Sequence, residues 1–82
     1  MTVTMRYFAA AGRAAGMDEE ELDIEGGATL AELVASLAER SPELARVLGR
    51  CQFLVDEQAV SDQSIALAPG CTVDALPPFA GG

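Results

Sequence analysis

The sequence contains no histidine, no lysine and no tryptophan, and it has one tyrosine and two cysteines. Without histidine there is no side chain that ordinarily titrates near neutral pH and serves as a general base. The serines, aspartates and glutamates form no nucleophile-and-base pair that the sequence brings together. Two thiols and no imidazole also leave the usual zinc ligand sets unfilled, so no metal site is expected. Cys51 and Cys71 lack the Cys-x-x-Cys spacing of redox and metal motifs. They read as small buried hydrophobes in a reducing compartment, with a disulfide as the alternative. Gly26-Gly27 precedes a helical pattern but lacks the lysine and spacing of a phosphate-binding loop. No apolar run approaches the length of a membrane span. Met1–Phe8 has no basic start followed by an apolar stretch, so it does not read as a signal peptide. The expected location is the cytoplasm. Five arginines face thirteen carboxylates, for a net charge of −8, which argues against nucleic acid as a partner. An acidic surface of this kind favours a basic docking partner, although a run such as Asp18-Glu19-Glu20-Glu21 is more often just a solvated turn and strand edge.

What is present suffices for one domain. Half of the 82 residues are apolar, enough for a core without disulfide or metal. Thr2–Phe8 alternates, with Val3, Met5 and Tyr7 on one side, and predicts a half-buried strand that leaves Phe8 on the polar side. Ala9–Ala15, closed by Gly16, suits a short helix or turn. Glu21–Glu25 alternates again, with Leu22 and Ile24 inward. Thr29-x-x-Glu32 is a capping box, and Leu30, Leu33, Val34, Leu37 and Ala38 repeat at helical spacing to about Arg40. Ser41-Pro42 opens a second short helix carrying Leu44, Val47 and Leu48, with Gly49 expected just past its end. Gln52–Val55 is a strand with Phe53 and Val55 on one face and Leu54 on the other. Asp56-Glu57 is a turn into Gln58–Val60. Ser64–Leu67 is weakly patterned, a helical turn or an edge strand. Ala68-Pro69-Gly70 is a turn before a last strand, Cys71–Leu76, with Val73 and Ala75 inward. This order predicts an α+β roll, a mixed sheet packed on one main helix.

The final residues are Pro77-Pro78-Phe79-Ala80-Gly81-Gly82. Two prolines bias the chain towards extended backbone, and two glycines can lie in a channel too narrow for side chains. The division expected is a body over 1–76 and a flexible tail over 77–82. The reactive group of such a tail is its α-carboxylate.

Three segments carry a resemblance to the β-grasp, ubiquitin-like sulfur carriers, and most closely to the MoaD family, the small subunits of molybdopterin synthase. They are Arg6-Tyr7-Phe8-Ala9-Ala10, Thr29-Leu30-Ala31-Glu32-Leu33, and Val73 through Gly82. The last, with its Pro-Pro-x-x-Gly-Gly ending, is the most specific. The resemblance implies a carrier rather than a catalyst. A MoeB-like activating enzyme uses ATP to adenylate the carboxylate of Gly82, and a sulfur donor converts it to a thiocarboxylate. The tail then enters a MoaE-like large subunit, in an expected heterotetramer, and sulfur passes to cyclic pyranopterin monophosphate. A free α-carboxylate, with a pKa of about 3.3–3.7, is anionic and inert at neutral pH, which is why activation is needed. The resemblance makes Phe8 and Leu76 part of an apolar docking surface, where pattern alone allows core packing equally well. It makes Pro77, Pro78, Phe79, Ala80 and Gly81 the delivered tail. Many relatives have an arginine four residues after the strand aromatic; here Gly12 occupies that position and Arg13 follows, so Arg13 is not carried over. The absence of lysine has two readings: compositional bias, or protection of an activated carbonyl from amines.

The same fold and ending fit a ThiS-like carrier for thiamin thiazole synthesis, although Pro77-Pro78-Phe79 leans towards molybdopterin. They also fit a ubiquitin-like modifier joined to target lysines. A β-grasp binding module with incidental glycines is the reading from a different class.

Overall fold

A computed structural model describes residues 1–78. The chain runs β1 (Thr2–Tyr7), α1 (Ala10–Ala15), β2 (Glu19–Asp23), α2 (Leu30–Ala38), α3 (Pro42–Leu48), β3 (Gln52–Val55), β4 (Gln58–Val60) and β5 (Thr72–Leu76). The five strands form one sheet in the order β2-β1-β5-β3-β4. β1 and β5 pair in parallel, and the other pairs are antiparallel, so the first and last strands meet at the centre.

Alternation decides which face is buried. Val3, Met5 and Tyr7 of β1, Phe53 of β3 and Val73 and Ala75 of β5 are at most 3% exposed. They pack with Ala11 of α1, Leu30, Leu33 and Leu37 of α2, and Leu44 and Leu48 of α3. All three helices therefore cover one face, and the other faces solvent.

The helix α2 starts as its sequence dictates. Thr29 Oγ1 accepts from the Glu32 amide at 3.1 Å, and Glu32 Oε1 accepts from the Thr29 amide at 2.9 Å. Together they satisfy two of the amides that a helix start leaves unpaired. The helix ends at Ala38, short of Arg40. Ser41 caps α3 through the Leu44 amide at 3.0 Å, with Pro42 in the first turn. Gly49 does not adopt the left-handed geometry expected of it; at φ −64 it continues the right-handed turn. Asp56 and Glu57 both have positive φ (48 and 69), which makes the β3–β4 hairpin a type I′ turn. Ser64–Leu67 forms neither of the elements expected. Residues 63–64 are a turn, and Ala66 makes a single bridge to Thr29 at the helix cap.

The second strand departs most from its pattern. It begins at Glu19, two residues before the expected Glu21, because Glu19 and Glu20 pair with Arg6 and Met5. Consequently Glu20 points to the same side as Leu22, and a carboxylate must be accommodated at the rim of the core. Tyr7 Oη donates to Glu20 Oε2 at 2.6 Å, and Arg40 forks onto both oxygens at 2.7 and 3.2 Å. Partial burial would raise the Glu20 carboxyl, but the hydrogen bonds from Arg40 and Tyr7 outweigh it and hold it below the ordinary value. Burial, with help from Glu20, pushes the Tyr7 hydroxyl well above its usual value, so it stays a donor.

Candidate functional site

The solvent face of the sheet is built from the residues that alternation excludes from the core. β1 contributes Thr4 and Arg6, β5 contributes Thr72, Asp74 and Leu76, β3 contributes Leu54, which lies opposite Asp74, and the edge strand β2 contributes the exposed Glu19, Glu21 and Asp23, with Glu19 opposite Arg6. The parallel register sets Tyr7 beside Ala75, and the Phe8 amide donates to the Ala75 carbonyl at 3.2 Å. Phe8 and Leu76 are thereby neighbours at the same end of the two central strands. Both are half-buried. Pattern alone left them divided between core and surface, and the register assigns them to the outer face. Pro77 is buried and Pro78 exposed, so the chain leaves the body next to this pair. Phe79, Ala80, Gly81 and Gly82 lie outside the described residues.

The turn that follows Phe8 has an unusual backbone. Ala9 has φ 50 and ψ −123, and the Ala11 amide donates to the Phe8 carbonyl at 2.9 Å. These are the features of a type II′ turn, whose first central position ordinarily requires glycine. An alanine there costs on the order of 1–2 kcal/mol. Strain of this size sits immediately beside a candidate docking residue. Beyond the turn, Gly12 approaches the Tyr7 carbonyl closely; a β-carbon there would lie 3.2 Å from that oxygen and 3.3 Å from Asp18 Oδ1. A side chain at position 12 would therefore be crowded. Arg13 is exposed in the last turn of α1, where it and Met17 line a shallow recess.

Besides the exposed carboxylates of the edge strand β2, two residues of the central strands carry charge on the outer face. Arg6 Nε lies 3.4 Å from Asp74 Oδ1, and the Arg6 guanidinium carbon is 5.1 Å from the Phe8 ring centroid. Sequence reading placed Arg6 and Asp74 in motifs but gave neither a role. Alternation does put each on the side of Phe8 and Leu76; what it cannot show is that strands 68 residues apart in sequence lie in parallel contact.

The remaining chemistry is sparse. Cys51 and Cys71 are both free thiols. Burial pushes the Cys51 thiol up to about 11 and raises that of Cys71 as well, so neither is a ready thiolate at neutral pH. Cys51 donates to the Val47 carbonyl at 3.3 Å and packs beside the core, as expected of a small hydrophobe. Among the described residues there is no group of three or more histidine, cysteine, aspartate or glutamate side chains that could hold a metal. Among them, too, no helix is long and apolar enough to cross a membrane.

A mixed sheet with parallel central first and last strands, wrapped on one side around a capped helix, is the ubiquitin-like β-grasp fold. The chain belongs to the ThiS family, whose model matches residues 5–82. It is similar to the molybdopterin synthase sulfur carrier subunit of Chlamydomonas reinhardtii, with 31% identity over 83 residues covering all of both chains. A putative molybdopterin converting factor subunit 1 from Pyrococcus furiosus has the same fold, with a TM-score of 0.85 and 24% identity over 96% of this chain and 99% of that one. The crystal structure of SAMP1 from Haloferax volcanii matches with a TM-score of 0.83 and 26% identity over the whole of both. A chain of the Helicobacter pylori complex of subunits 1 and 2 of the molybdopterin-converting factor also shares the fold, with a TM-score of 0.73 and 22% identity over both full lengths.

Proposed function

We propose that this chain is the sulfur-carrying subunit of a molybdopterin synthase. The observation that carries the reading is the full-length similarity to the Chlamydomonas carrier, which spans the whole body and the Pro-Pro-x-x-Gly-Gly ending. The geometry supports it: β5 at the sheet centre delivers Pro77-Pro78 beside an apolar pair, Phe8 and Leu76. In this reading Gly82 carries the reacting carboxylate. A MoeB-like enzyme transfers the adenylyl group of ATP to it, releasing pyrophosphate, and a sulfide equivalent displaces AMP to leave a thiocarboxylate. Phe8 and Leu76 dock a MoaE-like large subunit, a partner of the kind seen in the Helicobacter complex. Phe79, Ala80 and Gly81 thread the terminus into that subunit, where sulfur passes to cyclic pyranopterin monophosphate. The body supplies delivery, and the partners supply the ATP and pterin pockets.

The test is intact-mass measurement after incubation with ATP, the activating enzyme and a sulfur source, followed by transfer to the large subunit with the cyclic pterin. The expected result is a mass gain of one oxygen-to-sulfur exchange and formation of molybdopterin, both abolished when Gly81-Gly82 is removed. A truncated chain that still supports molybdoenzyme activity in cells lacking the native carrier would sink the reading.

The similarity to SAMP1 favours a second reading, a ubiquitin-like modifier. Stable amide adducts on lysines of other proteins, formed without molybdopterin production, would decide for it. Thiocarboxylate formation followed by transfer only to a thiazole precursor would instead assign the chain to thiamin synthesis.

A further inference from the structure

The outer face contains one feature that an apolar docking strip does not need. Arg6 and Asp74 sit on adjacent central strands, between Phe8 and Leu54, and they face each other across the parallel register. The Asp74 side chain is only 7% exposed, whereas that of Arg6 is 41% exposed. A carboxylate this deep requires compensation, because burying an isolated charge is costly. Among the described residues, Asp74 Oδ1 accepts no hydrogen bond, so the nearby guanidinium is what offsets its charge. Arg6 is in turn held on two sides. Its Nε faces Asp74, and its carbon lies over the Phe8 ring, a cation–π stack. Arg6 is also the one basic residue on this face among the described residues; the other arginines lie on or after the helices.

We propose that Arg6 and Asp74 are positioning residues for docking: together they hold the Phe8 ring on the outer face and pass under the large subunit as one electrically neutral unit. This rests on the carrier reading above, and it names what that reading leaves open, the means by which a charged surface is buried against a partner. Each residue alone is a liability at such an interface. Asp74 without Arg6 is a buried, uncompensated carboxylate, and its charge becomes more costly once the partner excludes water. Arg6 without Asp74 keeps only the exposed Glu19 of the edge strand opposite it and no longer has a fixed place above Phe8. Removing both leaves the two central strands uncharged, with the charges of the face confined to the exposed β2 edge, and the leucine introduced at position 6 can pack against the Phe8 ring in the guanidinium's place.

Neutrality makes a prediction that simple contact does not, namely that the two substitutions compensate. Binding of full-length carrier to the purified large subunit is measured by calorimetry for the native chain, Arg6→Leu, Asp74→Ala and the double variant, at a temperature where melting curves show all four folded. Each single change is expected to weaken binding about tenfold, and the double variant to return within about threefold of the native chain. Arg6→Gln and Asp74→Asn, which remove charge with little change of shape, are expected to follow the corresponding singles and keep the test open if a first variant fails to fold. Losses that multiply to about a hundredfold in the double variant would mean that the partner contacts each residue separately, and would overturn the proposal. So would four variants that bind alike. If the native chain itself does not bind the large subunit, the carrier reading fails, and this inference falls with it; the native arm separates that outcome from the others.

Discussion

The two faces of the sheet are made by the same strands, residue by residue in alternation, yet they obey different rules. On the inner face Val3, Met5, Phe53, Val73 and Ala75 are at most 1% exposed and touch three helices. On the outer face Thr4, Arg6, Leu54 and Leu76 are only half-buried, and Asp74 is the exception that is buried with a charge. The inner face has one solution, dense apolar packing, because every lost contact there opens a void. The outer face holds apolar, charged and polar side chains together, a mixture that contributes little to folding and resembles the composition of a docking surface. The comparison separates the face that holds the fold together from the face left free of it. It also says where substitutions should have each effect.

The largest expected effect is on the inner face. Phe53 lies between β4 and β5 in the sheet and is 1% exposed. Phe53→Ala should cost about 3–5 kcal/mol of stability, from lost transfer energy and the cavity left behind. For a domain of this size that lowers the melting temperature by at least about 12 °C. Below that temperature, binding to the large subunit should stay within about twofold of native, since Phe53 is shielded from it. Thermal denaturation and calorimetry of the same preparation make the check. A large loss of affinity in the folded protein would break the division between the faces.

Phe8 should show the reverse. As a half-buried residue it contributes about 1 kcal/mol to folding, but as an aromatic anchor at the point where the chain leaves the body it should dominate docking. Phe8→Ala is expected to weaken binding about thirtyfold, near 2 kcal/mol, with a melting temperature lowered by about 4–8 °C. A fall in melting temperature comparable with that of Phe53→Ala would return Phe8 to the core.

How far each face was legible in the sequence follows from the same contrast. Inner residues announce themselves through periodicity: Val3, Met5 and Tyr7 at every second position, Leu30, Leu33 and Leu37 at helical spacing, and Thr29 with Glu32 at the helix start. Apolar burial is repetitive, so it leaves a pattern. The outer face is only the other half of that alternation, with no residue type of its own. Arg6 and Asp74 acquire their meaning only from the parallel pairing of the first and last strands, and a pairing across most of the chain is not written in local composition. The start of β2 was hidden for a related reason. Four consecutive acids show no alternation, and Glu20 turns inward only because Tyr7 and Arg40, far apart in sequence, converge on it. Gly49 shows the limit of residue preference: glycine permits a left-handed turn without imposing one.

The smallest effect tests the seam between the faces. Ala9 leads from Phe8, on the outer face, into α1, whose Ala11 belongs to the core. Its positive φ is a conformation that glycine adopts without penalty. Ala9→Gly therefore relieves about 1–2 kcal/mol of strain in the folded chain, while the added freedom of the unfolded chain takes back about 0.5–1 kcal/mol. The relief is larger, so the variant should be slightly more stable, by about 0.5 kcal/mol, visible as a rise of a few degrees in melting temperature. Docking decides what the strain is for. If affinity for the large subunit is unchanged, the turn is a local accident of sequence, and Arg6 with Asp74 suffices to hold the Phe8 ring. If affinity falls while stability rises, the alanine is retained because a stiff turn fixes Phe8. Since Arg6 already lies over the ring and the Phe8 backbone amide donates a hydrogen bond to the Ala75 carbonyl, the expected outcome is a change in binding of less than about twofold.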